Sequence, residues 1–140
     1  MITNKHGHSK IVYKFDVMPA AQQVIELYKE AGLPRPTHDP QRIKAMFDNS
    51  DLIVTAWDED KLVGVSRTVT DSVWCSYLAD LAVNPDYKRT GIGKKLIELT
   101  RKKIGAQSMT LLLSVPTAMD YYLKVGFTKE DRAFIIHRTE

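Results

Sequence analysis

Leu81-Ala82-Val83-Asn84-Pro85-Asp86-Tyr87-Lys88-Arg89-Thr90-Gly91-Ile92-Gly93-Lys94-Lys95 is the stretch that decides the fold. An apolar triplet ends a strand, Pro85 closes it, and helical spacing begins at Gly91: Ile92, Leu96, Ile97, Leu99 and Ile104 share one side, Lys94, Glu98 and Lys102 the other. A strand that turns straight into a helix leaves backbone N–H groups and the positive end of a helix dipole at the junction, where an anion is favoured. Gly91 lets the chain approach a phosphate closely, and Gly93 lets the helix pack on a sheet. Seven cations (Lys88, Arg89, Lys94, Lys95, Arg101, Lys102, Lys103) and two acids (Asp86, Glu98) lie between Asn84 and Ala106, a local charge of +5 in a chain whose net charge is +3. The remainder is therefore −2, which argues for one anionic partner docking at this segment. Two known phosphate motifs fail on spacing. Walker A needs glycine where Lys88 stands and Ser or Thr where Lys95 stands, and a dinucleotide fingerprint would need its third glycine at Leu96. The plainer reading is a helix start that is merely basic and glycine-rich.

Upstream, residues 51–57, 62–69 and 73–83 read as three strands separated by the short turns Asp58-Glu59-Asp60 and Asp71-Ser72, hence an antiparallel meander. Before them come a strand at 11–17, a helix from Pro19 to Ala31 stopped by Gly32, a rigid proline-bounded loop from Leu33 to His38, and a short helix carrying Ile43, Met46 and Phe47. Downstream, 109–115 is continuously apolar, as a strand covered on both faces would be. Thr117 to Lys124 follows as a short helix stopped at Gly126, and 133–138 reads as a last strand. The order β-α-α-β-β-β-α-β-α-β implies an α/β (α+β) fold: a mixed, mainly antiparallel central sheet flanked by helices.

Composition bounds the rest. At 44% hydrophobic and 26% charged, 140 residues make one globular domain, expected over 11–140 behind a polar, flexible tail at 1–10. His6 and His8 in that tail lack a third ligand, so no metal site is expected. The lone Cys75 forbids an internal disulfide, the N-terminus lacks a signal pattern, and no apolar run is long enough to span a bilayer; the expected compartment is the cytoplasm. The chain shows no interleaved aromatics among its basic residues, which disfavours a nucleic-acid binder. A homodimer stays open.

The quoted stretch resembles the central signature of the GCN5-related N-acetyltransferases: a strand ending in an apolar triplet, a proline turn, then [Q/R]-x-x-G-x-[G/A] opening a helix. Lys88 stands at the leading Gln/Arg position, which keeps a cation. Ala118-Met119-Asp120-Tyr121-Tyr122-Leu123-Lys124-Val125-Gly126-Phe127 is similar to the family's second signature, A-x-x-F-Y-E-K-L-G-F, with Val115 where an asparagine often precedes it.

The resemblance implies acetyl-coenzyme A as co-substrate. Its pantetheine amides would pair with the backbone of Leu81, Ala82 and Val83 as an extra strand, and its pyrophosphate would lie on the loop and first helical turn formed by Lys88, Arg89, Thr90, Gly91, Ile92, Gly93 and Lys94. Lys124 either reaches a coenzyme phosphate or is a solvated surface lysine. Tyr122 is the expected general acid for the departing thiolate, with Tyr121 in packing or cofactor contact. An alkylammonium with a pKa near ~10 must lose a proton before attack. The position where some family members carry the base is Ala79. Asp80, a carboxylate within an apolar strand, either acts as the base through water or holds a structural hydrogen bond. Cys75 reads as a small buried strand residue. The 33–38 loop, Trp57, Arg67 and Trp74 are candidate borders of the acceptor pocket. Polyamine, arylalkylamine, aminoglycoside, amino acid and peptide amine all remain open as acceptors. A non-catalytic acyl-CoA-binding module on the same fold is the alternative.

Overall fold

A computed structural model describes residues 10–140. The expected tail, with His6 and His8, lies outside the described residues except for Lys10. Five strands run β1 (Val12–Lys14), β2 (Leu52–Asp58), β3 (Lys61–Thr70), β4 (Cys75–Val83) and β5 (Met109–Leu111), and they stand side by side in that order. The first three pairings are antiparallel and β4–β5 is parallel. Four helices accompany them: α1 (Ala21–Ala31), α2 (Pro40–Asp48), α3 (Ile92–Ile104) and α4 (Met119–Lys124). Among the described residues no helix is long and apolar enough to cross a membrane.

Alternation along the strands divides the core into two layers. Val24, Leu27 and Tyr28 of α1 and Ile43 and Phe47 of α2 pack on Ile53, Trp57, Val65 and Ala82 on one face. On the other face Ile92 and Leu96 of α3 pack on Val54, Ala56 and Val63. The ends of the helices follow from sequence. Gly32 closes α1 in the left-handed region at φ 71°, and the Asp39 carboxylate accepts from the Arg42 amide at the start of α2, whose first residue is Pro40. Helix α3 lies close against the sheet at Gly64, where an added Cβ would stand 2.9 Å from Ile92 Cγ2 and 3.1 Å from Leu96 Cδ1.

Four expectations need correction. The strand expected at 133–138 does not form: among the described residues the segment has no ladder partner, and the outer edge of β5 is left open. Regular strand in the 109–115 run stops at Leu111, and the run is half-exposed, because it lies at the sheet edge and not between two neighbours. Residues 73 and 74 belong to a loop in which Asp71 Oδ1 accepts from the amides of Val73, Trp74 and Cys75. Cys75, the first residue of β4, is on the exposed side of the strand's alternation and not buried as expected, beside Asp71, whose charge pushes the thiol up.

Candidate functional site

Strand β4 changes neighbours halfway along its length. Cys75, Ser76 and Tyr77 pair with Met109, Thr110 and Leu111 of β5, and there the parallel ladder stops. On its other side β4 stays paired with β3, with Arg67 opposite Asp80 and Thr68 opposite Leu78, so Ala79 is one residue too many. Such a bulge bends its strand and sharpens the local twist. From there to Val83 the β5-facing edge of β4 has no strand beside it, and a cleft of about 630 Å³ opens. Leu81, Ala82 and Val83 line it, together with Lys88, Arg89, Gly91, Ile92, Gly93 and Lys94 of the loop and α3, Tyr121 and Tyr122 of α4, and Leu33 and Arg35 of the proline-bounded loop.

The loop is held in place by buried polar contacts. The Asn84 side chain, 1% exposed, accepts from the Asp86 amide and donates to Glu30 of α1. The Tyr87 hydroxyl donates to Asp58 of β2, and the Thr90 hydroxyl donates to the Tyr87 carbonyl. Arg89 and Gly91 both take positive φ, 67° and 83°, which turns the chain sharply into α3. No side chain caps α3 and no acid sits in its first turn. Lys95 is the first residue whose amide bonds back into the helix, to the Gly91 carbonyl at 3.0 Å, so the preceding amides of the first turn have no acceptor of helical type. Donors, helix dipole and the cations of Lys88, Arg89 and Lys94 thus converge on the cleft, an arrangement that suits a phosphate group.

Gly93 serves a purpose other than the one expected. A Cβ there would stand 2.7 Å from the Tyr121 hydroxyl, so the glycine admits Tyr121, while the close helix–sheet approach falls to Gly64. Tyr121 and Tyr122 meet edge to face at 5.4 Å between centroids, and Tyr122 meets Phe127 similarly at 5.6 Å. Burial, followed by the neighbouring Tyr121, pushes the Tyr122 phenol above its ordinary value, against a smaller opposing pull from Arg35. Its proton is therefore retained at neutral pH. Among the described residues the Tyr122 hydroxyl makes no hydrogen bond.

Asp80 lies elsewhere. It is buried, and its Oδ2 accepts from the Tyr28 hydroxyl at 2.6 Å and from Arg67 Nε at 2.7 Å, while its Oδ1 accepts from Arg35 Nε at 2.6 Å. Burial alone would push this carboxyl up; the Arg67 hydrogen bond and charge, the Tyr28 hydroxyl and the Arg35 charge outweigh it and hold the group below the usual carboxylate range. The same surroundings push the Tyr28 phenol well above its usual value, burial first and the Asp80 charge second. Arg35 also donates to the Ala79 carbonyl at 2.8 Å and the Pro34 carbonyl at 2.7 Å, which fastens the proline-bounded loop to the bulge.

The cleft therefore brings together most of the residues singled out in the sequence. Thr90 contributes from behind, through the Tyr87 carbonyl, and Lys124 is exposed and does not line the cleft. Of the suggested acceptor borders only the 33–38 loop reaches it. Trp57 is core, with its indole N–H on Thr55; Arg67 is tied to Asp80; Trp74 is 76% exposed on the β3–β4 turn. Arg35 and Tyr28 were missed as partners of Asp80, since nothing local signals pairing across 45 and 52 positions.

The acetyltransferase (GNAT) domain model matches residues 20–137. The ycf52-like N-acetyltransferase of Prochlorococcus marinus is 29% identical over 98 residues, 66% of this chain and 54% of that one. The chloroplastic GCN5-related N-acetyltransferase 2 of Arabidopsis thaliana is 32% identical over 74 residues, 49% of this chain and 28% of that one. The chain thus spans about half or less of the length of these relatives. A probable acetyltransferase of meticillin-resistant Staphylococcus aureus superposes with a TM-score of 0.80 at 22% identity, covering 92% of this chain and all of the other. The family match extends over nearly the whole described chain, and the chain belongs to the GNAT acetyltransferase domain family.

Proposed function

We propose that the chain is an acetyl-CoA-dependent N-acetyltransferase that acetylates a primary amine of a small molecule or peptide by direct attack. The observation that carries this is the unpaired edge of β4 at Leu81–Val83 running into the uncapped, cationic start of α3, with the protonated Tyr122 phenol lining the same cleft. The donor set fits the co-substrate: strand-edge amides and carbonyls for pantetheine amides, and helix-start amides with Lys88, Arg89 and Lys94 for a pyrophosphate. When bound, acetyl-CoA supplies the acetyl group as an activated thioester. Leu81, Ala82 and Val83 orient the donor, the first turn of α3 holds its phosphates, and the Tyr122 hydroxyl holds the proton that the departing sulfur needs.

Asp80 is assigned as a positioning residue that keeps Arg35, and with it the acceptor-side loop, against the bulge. Among the described residues no carboxylate or imidazole lines the cleft. The amine therefore sheds its proton to water, which suits an acceptor of lower pKa than an alkylammonium near ~10, such as an α-amino group near ~8. That same lack of a base favours the second reading, an acyl-CoA-binding module without turnover. The cytoplasm is the assigned compartment, with the chloroplast, suggested by the Arabidopsis relative, as the alternative.

Thermal unfolding with saturating acetyl-CoA, followed by thiol release against a panel of amines, tests the reading. Ligand at a hundred times its dissociation constant adds about 2.7 kcal/mol, several degrees in Tm for a domain of this size. A shift with thiol release establishes the enzyme, a shift without release across the panel favours the binding module, and no shift overturns both. Tyr122→Phe is expected to lower kcat by about 100-fold with an unchanged acetyl-CoA-induced shift in Tm; an unaltered kcat removes Tyr122 as the acid.

A further inference from the structure

Asp80 faces two guanidinium groups and is one charge short of balancing them. Its side chain is fully buried, those of Arg67 and Arg35 are 12% and 23% exposed, and among the described residues no other carboxylate is paired with either arginine. Tyr28, the remaining partner of Asp80, is held as a neutral phenol. Two cations less one anion leave an excess positive charge at the wall of the cleft, which is costly in a half-buried place unless a counter-ion meets it. Arg67 is closed off from the cleft: its Nη1 donates to Ser50 Oγ at 3.1 Å, and its guanidinium lies 5.9 Å from the centre of the Phe47 ring. Arg35 lines the cleft. It donates through Nε to Asp80, through Nη1 to the Pro34 carbonyl and through Nη2 to the Ala79 carbonyl. A guanidinium has five N–H groups, so two of them are left to meet a ligand.

The cleft supplies no counter-charge of its own. Every charged side chain that lines it is a cation: Arg35 at the bulge, and Lys88, Arg89 and Lys94 at the start of α3. Under the proposed function the two groups of cations have different work. Val83, Ala82 and Leu81 lead from the phosphate-binding turn toward Ala79, so the reacting end of the cleft lies where Arg35 is bound, and its charge is felt at the Tyr122 phenol. An acceptor entering there meets a cation with free donors and no acid. Polyamines and aminoglycosides, which carry several positive charges, are disfavoured by that field. An amine that also bears a carboxylate is favoured, and a guanidinium paired with that carboxylate stops it from stabilising the neighbouring ammonium, which helps in a cleft without a base. Resting on the acetyltransferase reading, we propose that the acceptor is a carboxylate-bearing amine, either an α-amino acid or a peptide whose first residue is acidic, and that Arg35 receives the carboxylate. The ammonium gives up two protons as the N–C bond forms and the C–S bond of the thioester breaks: one goes to water, and the other replaces the one that Tyr122 hands to the sulfur.

Thiol release with paired acceptors tests this on the full chain: ornithine against putrescine, phenylalanine against phenethylamine, and tripeptide amides beginning with Glu against the same peptides beginning with Gln. The expected result is a kcat/KM about 10- to 100-fold higher for the carboxylated member, in the first two pairs if the source is a free amino acid and in the third if it is a peptide. In Arg35→Gln that ratio is expected to fall close to one while the acetyl-CoA-induced rise in Tm persists, a sign that the fold and the donor site are intact. Arg35→Lys, which keeps the charge beside Asp80 but not the fork, is expected to retain part of the ratio. Thiol release that is equal or faster with the members lacking the carboxylate leaves the acetyltransferase standing and overturns the proposal. So does a preference that both variants leave at full strength. No thiol release from any amine, despite a rise in Tm with acetyl-CoA, overturns the enzyme reading and the proposal together.

Discussion

The two sides of the cleft are built differently. On the β4–α3 side every buried polar group that shapes the loop has a partner: Asn84 with Glu30, Tyr87 with Asp58, and Asp80 with Tyr28, Arg35 and Arg67. On the β5–α4 side the strand has three paired residues, α4 has no buried residue, and Met109, Met119 and Leu123 are 56%, 48% and 57% exposed. The side that would hold the donor is thus rigid by itself. The side that carries Tyr122 depends on ring packing with Tyr121 and Phe127. The proposed function, which requires gripping one co-substrate and admitting a second, gives a reason to divide stiffness in this way.

Substitutions that break or sharpen this contrast fall in a clear order. Asp80→Asn leaves two guanidinium groups half-buried without their counter-charge and is expected to cost about 3 kcal/mol, roughly ten degrees in Tm. The folded pKa of Asp80 lies below the unfolded one, so its contribution is complete above the unfolded value near ~3.9 and fades as the pH falls toward the folded value. The gap between the two proteins in urea unfolding should stay constant from pH 5 to 8 and close on further acidification. Gly64→Ala, which drives a methyl group into Ile92 and Leu96, is expected to cost about 1–3 kcal/mol by the same measurement. Gly91→Ala, confined to a φ of 83°, is expected to cost about 1 kcal/mol. Leu123→Ala on α4 should lie within about 0.5 kcal/mol of the unsubstituted chain; a loss as large as that at Gly64 would show that the two sides are equally stiff.

The same division explains what could be read from the residues alone. The strand-to-helix switch at Val83–Gly91 is announced locally by Pro85, two glycines and a change of apolar period, and the structure places it within a residue of the expected bounds. The β2–β3–β4 meander likewise follows from turn lengths and the parallel β5 from the crossover helix before it, whereas nothing local places β1 beside β2. Asp80 stood out as costly to bury, but its partners lie 13, 45 and 52 positions away and carry no local mark. Nor does the bulge, since Ala79 is neither glycine nor proline. Cys75 does lie in a strand, as its first residue, but alternation along β4 buries Ser76 and Leu78 and leaves Cys75 exposed. The 133–138 segment has the right composition for a strand, and composition says nothing about whether an edge is within reach.

The bulge at Ala79 carries a consequence of its own. In a pleated strand, odd and even positions look to opposite faces, so the strand is a two-state register and one extra residue reverses its parity. Leu78 is opposite Thr68, which shares a face with Ser66 and so with Thr100 of α3, whereas Asp80 is opposite Arg67 and meets Tyr28 of α1. Removing Ala79 would leave Leu78 opposite Thr68 and Asp80 opposite Arg67 as successive residues of a regular strand, each on the face it already occupies. A strand that kept Ala79 but paired without the bulge would instead turn the carboxylate toward α3, away from both arginines. A single deleted codon would thus spare the faces and take away only the local bend.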